Sequence, residues 1–176
     1  MPQHNHAESA PPTFAAVLTV ALMAAIVWLL LTGSLNSQEL VAGILVVVVA
    51  LLLSRPRLGI MGGVRWSLYL PGAILVYLAY FARELFRSNL DVARRVLSPS
   101  LPLRPAVVRV HTALTSDLGR MLLANSITLT PGTLTLDVDD DMLTIHWIDC
   151  PPGTDIEAAT RAIAAGFERH LARFVR

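Results

Sequence analysis

Residues 14–31 read FAAVLTVALMAAIVWLLL, and residues 40–53 read LVAGILVVVVALLL. Neither run contains a charged side chain, and at 1.5 Å per residue they would form helices of about 27 Å and about 21 Å. Because the hydrocarbon core of a bilayer is about 30 Å thick, the first run has nearly the length of a span and the second is short. A third apolar run covers residues 66–82, with Pro71 and Gly72 near its start. Together these runs predict an N-terminal half that lies in a membrane.

The composition of the whole chain agrees with this prediction. Of its 176 residues 54% are hydrophobic and 15% are charged, whereas about a quarter of the residues of an average soluble domain are charged. A soluble domain of this size leaves much of its surface in water and could not bury so much apolar area. The net charge of +1 does not indicate nucleic-acid binding, and the single cysteine, Cys150, excludes an internal disulfide. Lipid or partner subunits must therefore cover the apolar surface.

The sequence predicts three membrane helices between a polar tail and a soluble domain. The third helix continues beyond its apolar run, because apolar residues recur at helical spacing among arginines up to Leu97. Prolines then predict a linker that cannot be helical. The predicted boundaries are 1–13 for a disordered tail, 14–97 for the membrane helices (14–32, 39–54 and 65–97), 98–105 for the proline-rich linker and 106–176 for a cytoplasmic α+β domain.

The arginines leave the number of membrane crossings open. They follow the second and the third apolar runs, and the positive-inside rule favours a cytoplasmic location for both groups. That rule is met if the first two helices form a hairpin and the third lies in the interface without crossing. The length of the third helix instead favours three crossings. The arginines concerned are Arg55, Arg57 and Arg65 after the second run, and Arg83, Arg87, Arg94 and Arg95 after the third.

The C-terminal domain is predicted to be a small two-layer sandwich with the order β-α-β-β-α. Its strands cover 106–112, 133–138 and 142–148, and the last two are joined by a turn at Asp139-Asp140-Asp141. Ser116 is predicted to cap a helix that ends at about Asn125.

A final helix is predicted from a capping box formed by Thr154 and Glu157. Its apolar stripe recurs at helical spacing and is expected to face the sheet. The stripe consists of Ile156, Ile163, Phe167, Leu171 and Phe174.

No constellation of residues in the sequence indicates chemistry, so we expect no catalytic residue, no metal site and no cofactor. Ion carriers need paired ionisable groups inside the membrane, but Glu39 lies at the start of the second apolar run and Glu84 lies beyond the third. Aspartates cluster at residues 137–141, where a solvated hairpin turn is the expected explanation. Cys150 has no evident histidine base. Direct ion translocation by this chain alone is therefore not expected.

The stretch from Ala124 to Thr133 reads ANSITLTPGT and is the densest local signal in the sequence. Pro131 and Gly132 predict a type II turn, in which glycine supplies the positive φ. The neighbouring hydroxyl groups are expected to satisfy backbone groups between a helix and a strand. The candidate structural or assembly motif consists of Asn125, Ser126, Thr128, Thr130, Pro131, Gly132 and Thr133.

Over most of its length the chain resembles the E subunit of multisubunit Mrp/Mnh-type sodium/proton antiporters. The resemblance rests on the apolar hairpin, on the extension ELFRSNLDVA from residue 84, and on the ANSITLTPGT motif with DMLTIHWID from residue 141. It implies an accessory component of a bacterial or archaeal inner-membrane complex that exchanges Na⁺ for H⁺, with large polytopic subunits and the lipid bilayer as partners. We expect Pro71, Gly72, Glu84 and Arg87 to form a membrane-helix interface with those subunits.

A second interpretation stays open at the level of sequence. The chain could be a membrane-anchored regulatory module that recognises a ligand or a protein through its C-terminal domain and has no transport role. Such a module should be stable alone, whereas a subunit should copurify with large membrane proteins.

Overall fold

The computed structural model describes residues 14–54, 63–100 and 103–176. The chain forms two compact units, Met1–Gly62 and Gly63–Arg176. The predicted disordered tail lies outside the described residues, as do Arg55 and Arg57.

The first unit contains helices α1 (Phe14–Thr32) and α2 (Ser37–Ser54). Helix α1 ends at Thr32, and the following Gly33 has a φ of +59°, the left-handed conformation that glycine adopts after a helix. The N–H of Gly33 donates to the carbonyl of Leu29 at 2.9 Å. Helix α2 begins two residues before the predicted start at residue 39. Its 18 residues give a length of about 27 Å, because the helix includes polar residues on both sides of the apolar run of residues 40–53.

A glycine and a tryptophan fix the contact between α1 and α2. Gly43 is buried in α2, and a Cβ atom there would lie 2.7 Å from Cδ1 of Trp28. The indole N–H of Trp28 donates to the carbonyl oxygen of Glu39 at 2.9 Å. Only glycine at position 43 allows this close approach. The other described apolar side chains of the two helices are half-buried or exposed, and Leu30 at 78% and Leu53 at 75% are among the most exposed.

Helix α3 (Leu70–Leu97) is 28 residues long and belongs to the second unit. It begins five residues after the predicted start at residue 65, because Pro71 occupies its first turn, where the missing N–H is not needed. One face of α3 packs against the core of the C-terminal domain. The residues in contact are Leu70, Ala73, Tyr77, Tyr80 and Phe81.

The sheet of the second unit has three antiparallel strands in the order β1-β3-β2, and each strand differs from its predicted range by one residue at its end. Asp140 has a φ of +48° in the tight turn between the last two strands, as expected for an aspartate in a hairpin. The strands are β1 (Ala106–His111), β2 (Thr133–Asp139) and β3 (Met142–Trp147).

Helix α4 (Asp117–Leu129) connects β1 to β2 and begins at the predicted cap. The hydroxyl oxygen of Ser116 accepts from the N–H of Gly119 at 3.1 Å. The helix continues four residues beyond its predicted end at Asn125, since the hydrogen bonds of the following turn extend the helical pattern. Gly132 then adopts a φ of +100°, which agrees with the predicted type II turn.

The end of the chain is divided into α5 (Ile156–Ala159), a π-helical turn (Thr160–Ala164) and α6 (Ala165–Leu171). The predicted capping box is wrong. Asp155 is the cap, since its carboxylate accepts from the N–H of Ala158 at 2.7 Å, and the hydroxyl of Thr154 instead donates to a loop carbonyl.

The π-helical turn also corrects the predicted apolar stripe. Ile156 is 48% exposed, whereas Ile163, Phe167, Leu171 and Phe174 are buried as expected. A π turn inserts one extra residue, so the seven-residue step from Ile156 to Ile163 rotates the chain as six residues of α-helix would. That step leaves Ile156 on the outer side of the helix.

The core of the second unit lies between one face of the sheet and the helices. Side chains at alternate strand positions point into it, including Val110, Leu143 and Ile145, which are all fully buried. The opposite face of the sheet carries exposed side chains such as Val107 and Leu134. The architecture is therefore a helical N-terminal part followed by a small three-stranded antiparallel sheet with helices.

Candidate functional site: the contact between helix α3 and the C-terminal domain

Hydroxyl groups hold together the connection between α4 and β2, where the predicted motif lies. Thr130 donates to the carbonyl of Ser126 at 2.7 Å, and Thr133 donates to the carbonyl of Ile127 at 2.7 Å. The hydroxyl oxygen of Thr128 accepts from the N–H of Thr135 at 3.1 Å. The first two bonds reach carbonyl groups in the last turn of α4, and the third reaches the backbone of β2. The motif therefore fixes the angle between α4 and the sheet.

One hydroxyl group of the motif reaches helix α3. Ser126 is 2% exposed, and its oxygen lies 2.6 Å from the phenolic oxygen of Tyr77. Because the serine hydroxyl has one hydrogen and donates it to the carbonyl of Leu122, Tyr77 must donate to Ser126. This bond fixes the position of α3 on the domain.

Aromatic side chains extend the same contact along α3. The rings of Tyr77 and Phe174 meet edge to face with centroids 5.7 Å apart, and Tyr80 stacks on His170 with centroids 4.3 Å apart. A Cβ atom at Gly166 would overlap the phenolic oxygen of Tyr80, so only glycine leaves room for this ring. Each aromatic pair is worth about 0.5–1.5 kcal/mol beyond the area that it buries.

Ion pairs fasten the C-terminal end of α3 to the domain. Arg95 lies 2.6 Å from Oδ2 of Asp149, and Arg104 lies 2.7 Å from Oδ1 of the same carboxylate. Hydrogen bonds from Arg104 and then from Arg95 hold the pKa of Asp149 below its usual value, against the opposing effect of burial. Arg104 belongs to the predicted linker, which is therefore partly paired with the residues that follow β3.

The structure brings together only part of the predicted motif. Ser126 faces α3, and a Cβ atom at Gly132 would lie 3.2 Å from the side chain of Ile148 and 4.0 Å from that of Val92 on α3. Asn125 and Thr128 are exposed. The motif thus connects α4 to β2, and two of its residues, Ser126 and Gly132, lie near α3.

The four residues of the predicted membrane-helix interface lie on α3 but do not share one face. Pro71 and Gly72 are exposed at its start, and no heavy atom lies within 4 Å of a Cβ atom built at Gly72. Glu84 is 21% exposed on the side of the domain and pairs with Arg83 at 3.2 Å, whereas Arg87 is exposed.

Sequence reasoning missed Tyr77, Tyr80, Phe81 and Asp149. The three aromatic residues follow the spacing of one helical face, which predicts a covered face but does not tell whether lipid or protein covers it. No local signal pairs Asp149 with Arg95, which lies 54 positions earlier.

The contacts described above hold α3 against the C-terminal domain. They do not include a group of side chains arranged for catalysis. Within the described ranges 14–54, 63–100 and 103–176, no group of three His, Cys, Asp or Glu side chains is placed to hold a metal ion.

Comparison with known proteins identifies the kind of protein that has this architecture. The family described as Na⁺/H⁺ ion antiporter subunit (MNHE) matches residues 21–174. This chain belongs to that family. The match includes α2, α3 and the C-terminal domain with the motif, so the membership rests on both units of the structure.

Individual relatives of the MNHE family agree over most of their length. The E subunit of the Na⁺/H⁺ antiporter of Alkalihalophilus pseudofirmus is 35% identical over 154 residues, which cover 85% of this chain and 92% of the relative. The corresponding E subunit of Bacillus subtilis is 33% identical, with coverage of 90% and 96%. A chain in the structure of the membrane-bound sulfane sulfur reductase, an archaeal respiratory membrane complex, is 40% identical, with a TM-score of 0.76 and coverage of 90% and 98%.

Proposed function

We propose that this chain is an accessory subunit of a multisubunit antiporter that exchanges Na⁺ for protons across a prokaryotic cell membrane. The chain supports assembly and activity of the complex and carries neither the translocation step nor an enzymatic reaction. Membership in the family of Na⁺/H⁺ ion antiporter subunits over residues 21–174 is the observation that carries this proposal.

The helical hairpin of the first unit serves as the membrane anchor. Within the described residues, one helix, Ser37–Ser54, is long and apolar enough to cross a membrane, and Val17–Thr32 is a shorter apolar helix. Most side chains of both helices remain exposed. In the absence of water, such surfaces are covered by acyl chains or by the helices of other subunits.

The charges of the hairpin support an accessory role. Residues 14–54 contain one ionisable side chain, Glu39, which lies in the first turn of α2. An ion or proton path through hydrocarbon needs ionisable groups in the interior of the span, since an unpaired charge there costs at least several kcal/mol. The translocation step is therefore assigned to partner subunits.

The C-terminal domain lies on the cytoplasmic side in this proposal. The positive-inside rule supports that side, because arginines accompany the segment after α2 and the second half of α3. In finer detail, the domain acts as one β-α-β-β-α sandwich, in which α5, the π-helical turn and α6 together form the final helix.

The partners are the large polytopic subunits of the antiporter. The open start of α3, with Pro71 and Gly72, is the proposed contact, because Gly72 leaves room for a helix to approach closely. A chain of an archaeal respiratory membrane complex has the same fold, which supports the use of this fold as a component of membrane complexes.

Coexpression with the neighbouring genes tests the proposal. An affinity tag on this chain should retain large polytopic membrane proteins, and Na⁺/H⁺ antiport in inside-out vesicles should be lost when the chain is omitted. If the chain is purified alone from cells that express all the neighbouring genes, the proposed role is wrong.

Two carboxylate variants separate an accessory role from a role in the ion path. Glu39→Gln should leave antiport at the level of the parent complex, and Glu84→Gln is the matched control outside the hairpin. If Glu39→Gln abolishes antiport in a complex that assembles at normal yield, the chain takes part in translocation and the accessory role is refuted.

A further inference from the structure

Helix α3 has an exposed apolar stripe directly opposite the face that packs on the domain. At 100° per residue, the stripe spans about 80° and is centred about 180° from the packed face. All of its members are exposed, and Leu75 and Phe86 are each 68% exposed. The apolar stripe consists of Leu75, Ala79, Ala82, Phe86, Leu90, Ala93 and Leu97.

Three arginines run along one border of the apolar stripe. Around the helix axis, Arg83, Arg87 and Arg94 lie within about 40° of one another. Their centre lies about 80° from the centre of the apolar stripe. All three are exposed, and Arg83 is paired with Glu84 while its side chain remains 66% exposed. A row of arginines beside an apolar stripe is typical of helices that lie in the plane of a membrane, with the charges at the headgroups.

Contacts with the C-terminal domain at both ends of α3 argue against a crossing by this helix. Just before its start, Arg65 donates its N–H to the carbonyl of Phe174 at 2.8 Å, and near its end Arg95 pairs with Asp149. A helix held to one domain from end to end would draw that domain into the hydrocarbon. An open sheet with unpaired edges and charged side chains is not stable there.

The chain itself keeps this unit close to the membrane. Eight residues separate Ser54, the last residue of α2, from Gly63, and a residue spans at most about 3.5 Å. Fully extended, a link of this length reaches about 30 Å, so the second unit stays tethered near the membrane that holds α2.

We infer that α3 does not cross the membrane but lies along its surface, with the apolar stripe among the acyl chains and the arginine row on the phosphates of anionic lipids. This inference rests on membrane insertion of the hairpin and not on the antiporter role. It resolves the conflict between the arginines and the length of the third helix, because both basic segments then lie on the same side.

Accessibility of single cysteines tests the topology in the full chain with Cys150→Ser. Ser67→Cys and Ser100→Cys replace exposed residues on either side of α3. Both should react with an impermeant maleimide from the same side, in a comparison of intact cells with inside-out vesicles. Labelling from opposite sides would show that α3 crosses.

A fluorescent probe tests the contact with lipid. The full chain with Cys150→Ser and Phe86→Cys is labelled with a nitrobenzoxadiazole group and reconstituted in phosphatidylcholine and phosphatidylglycerol. The probe should be quenched by doxyl groups on the acyl chains. Leu134→Cys, on the open face of the sheet, is the control and should not be quenched. If the Phe86 probe is in water in the isolated chain and protected only in the complete complex, a partner subunit covers the stripe and the inference is wrong.

The arginine row is tested by a triple variant, Arg83→Gln, Arg87→Gln and Arg94→Gln. Each arginine near an anionic surface contributes about a fivefold factor to binding. At each phosphatidylglycerol content of a titration, the ratio of docked to undocked α3 should therefore be lower than in the parent chain by on the order of a hundredfold. The control variant, Arg109→Gln, Arg161→Gln and Arg173→Gln, removes the same charge from exposed positions elsewhere in the domain. Equal ratios for the two variants would overturn the assignment of the row to lipid phosphates.

Discussion

Replacing Ser126 by alanine removes the hydroxyl that joins α4 to helix α3. Ser126 is 2% exposed and accepts from Tyr77 at 2.6 Å. A hydrogen bond of this kind contributes a net of about 0.5–1.5 kcal/mol, and a buried polar group left without its partner costs about 1–3 kcal/mol. We therefore expect Ser126→Ala and Tyr77→Phe each to lower the free energy of unfolding by about 1 kcal/mol or more.

The double variant measures the bond itself. Once one hydroxyl is absent, removing the second costs little, so the two effects should fall short of additivity by about 1 kcal/mol. Pulse proteolysis of the detergent-solubilised full chain in urea measures the stability of the second unit without requiring the hairpin to unfold. A loss of about 1 kcal/mol lowers the urea midpoint by about 0.3–1 M.

Two conservative substitutions serve as matched controls for this cycle. Asn125→Ala changes the exposed neighbour of Ser126 on α4, and Tyr69→Phe removes a phenolic oxygen from a side chain that is 84% exposed. Both should leave the free energy of unfolding unchanged within about 0.5 kcal/mol. Strict additivity of Ser126→Ala and Tyr77→Phe would contradict the expectation, because it would mean that the motif and α3 are not coupled through this hydrogen bond.

Further predictions concern Asp149, which pairs with Arg95 near the end of α3, and three glycines. The pKa of Asp149 is lowered from 3.8 in the folded state, so the contribution of its ion pairs to stability is present above that value and is lost as the pH falls through the folded-state pKa. In Asp149→Asn the urea midpoint should therefore fall less steeply below about pH 4 than in the parent chain. Parallel decreases of the two midpoints in acid would contradict this prediction. Gly132→Ala should cost about 1–3 kcal/mol because φ is +100°, whereas Gly72→Ala within α3 should be neutral or stabilising by up to about 1 kcal/mol, as measured by the same proteolysis. Gly43→Val should separate α1 from α2 and shift the fluorescence of Trp28 in an isolated chain whose other tryptophans, Trp66 and Trp147, are replaced by phenylalanine. An unchanged spectrum would show that the close approach is not required.

Much of the C-terminal domain could be predicted from local sequence. Ser116 caps α4 as predicted, because a serine before a helical pattern satisfies a free N–H at the start of the helix whatever lies around it. Gly132 was expected to have a positive φ for the same kind of local reason. The final helix was less predictable, because the π-helical turn depends on how Thr160–Ala164 packs and moves Ile156 off the core face.

Local sequence was enough to establish that an apolar hairpin precedes an α+β domain, because the hydrophobicity of the runs and the period of the strands are properties of neighbouring residues. It also led to the family through the motif between α4 and β2. The packing of the third apolar helix on the C-terminal domain became evident only in the folded chain, since a helix with apolar residues on two faces has the same pattern whether lipid or protein covers them. The bond between Tyr77 and Ser126 and the pair between Arg95 and Asp149 join residues far apart in the chain, so their effect on the position of α3 exists only in the folded protein.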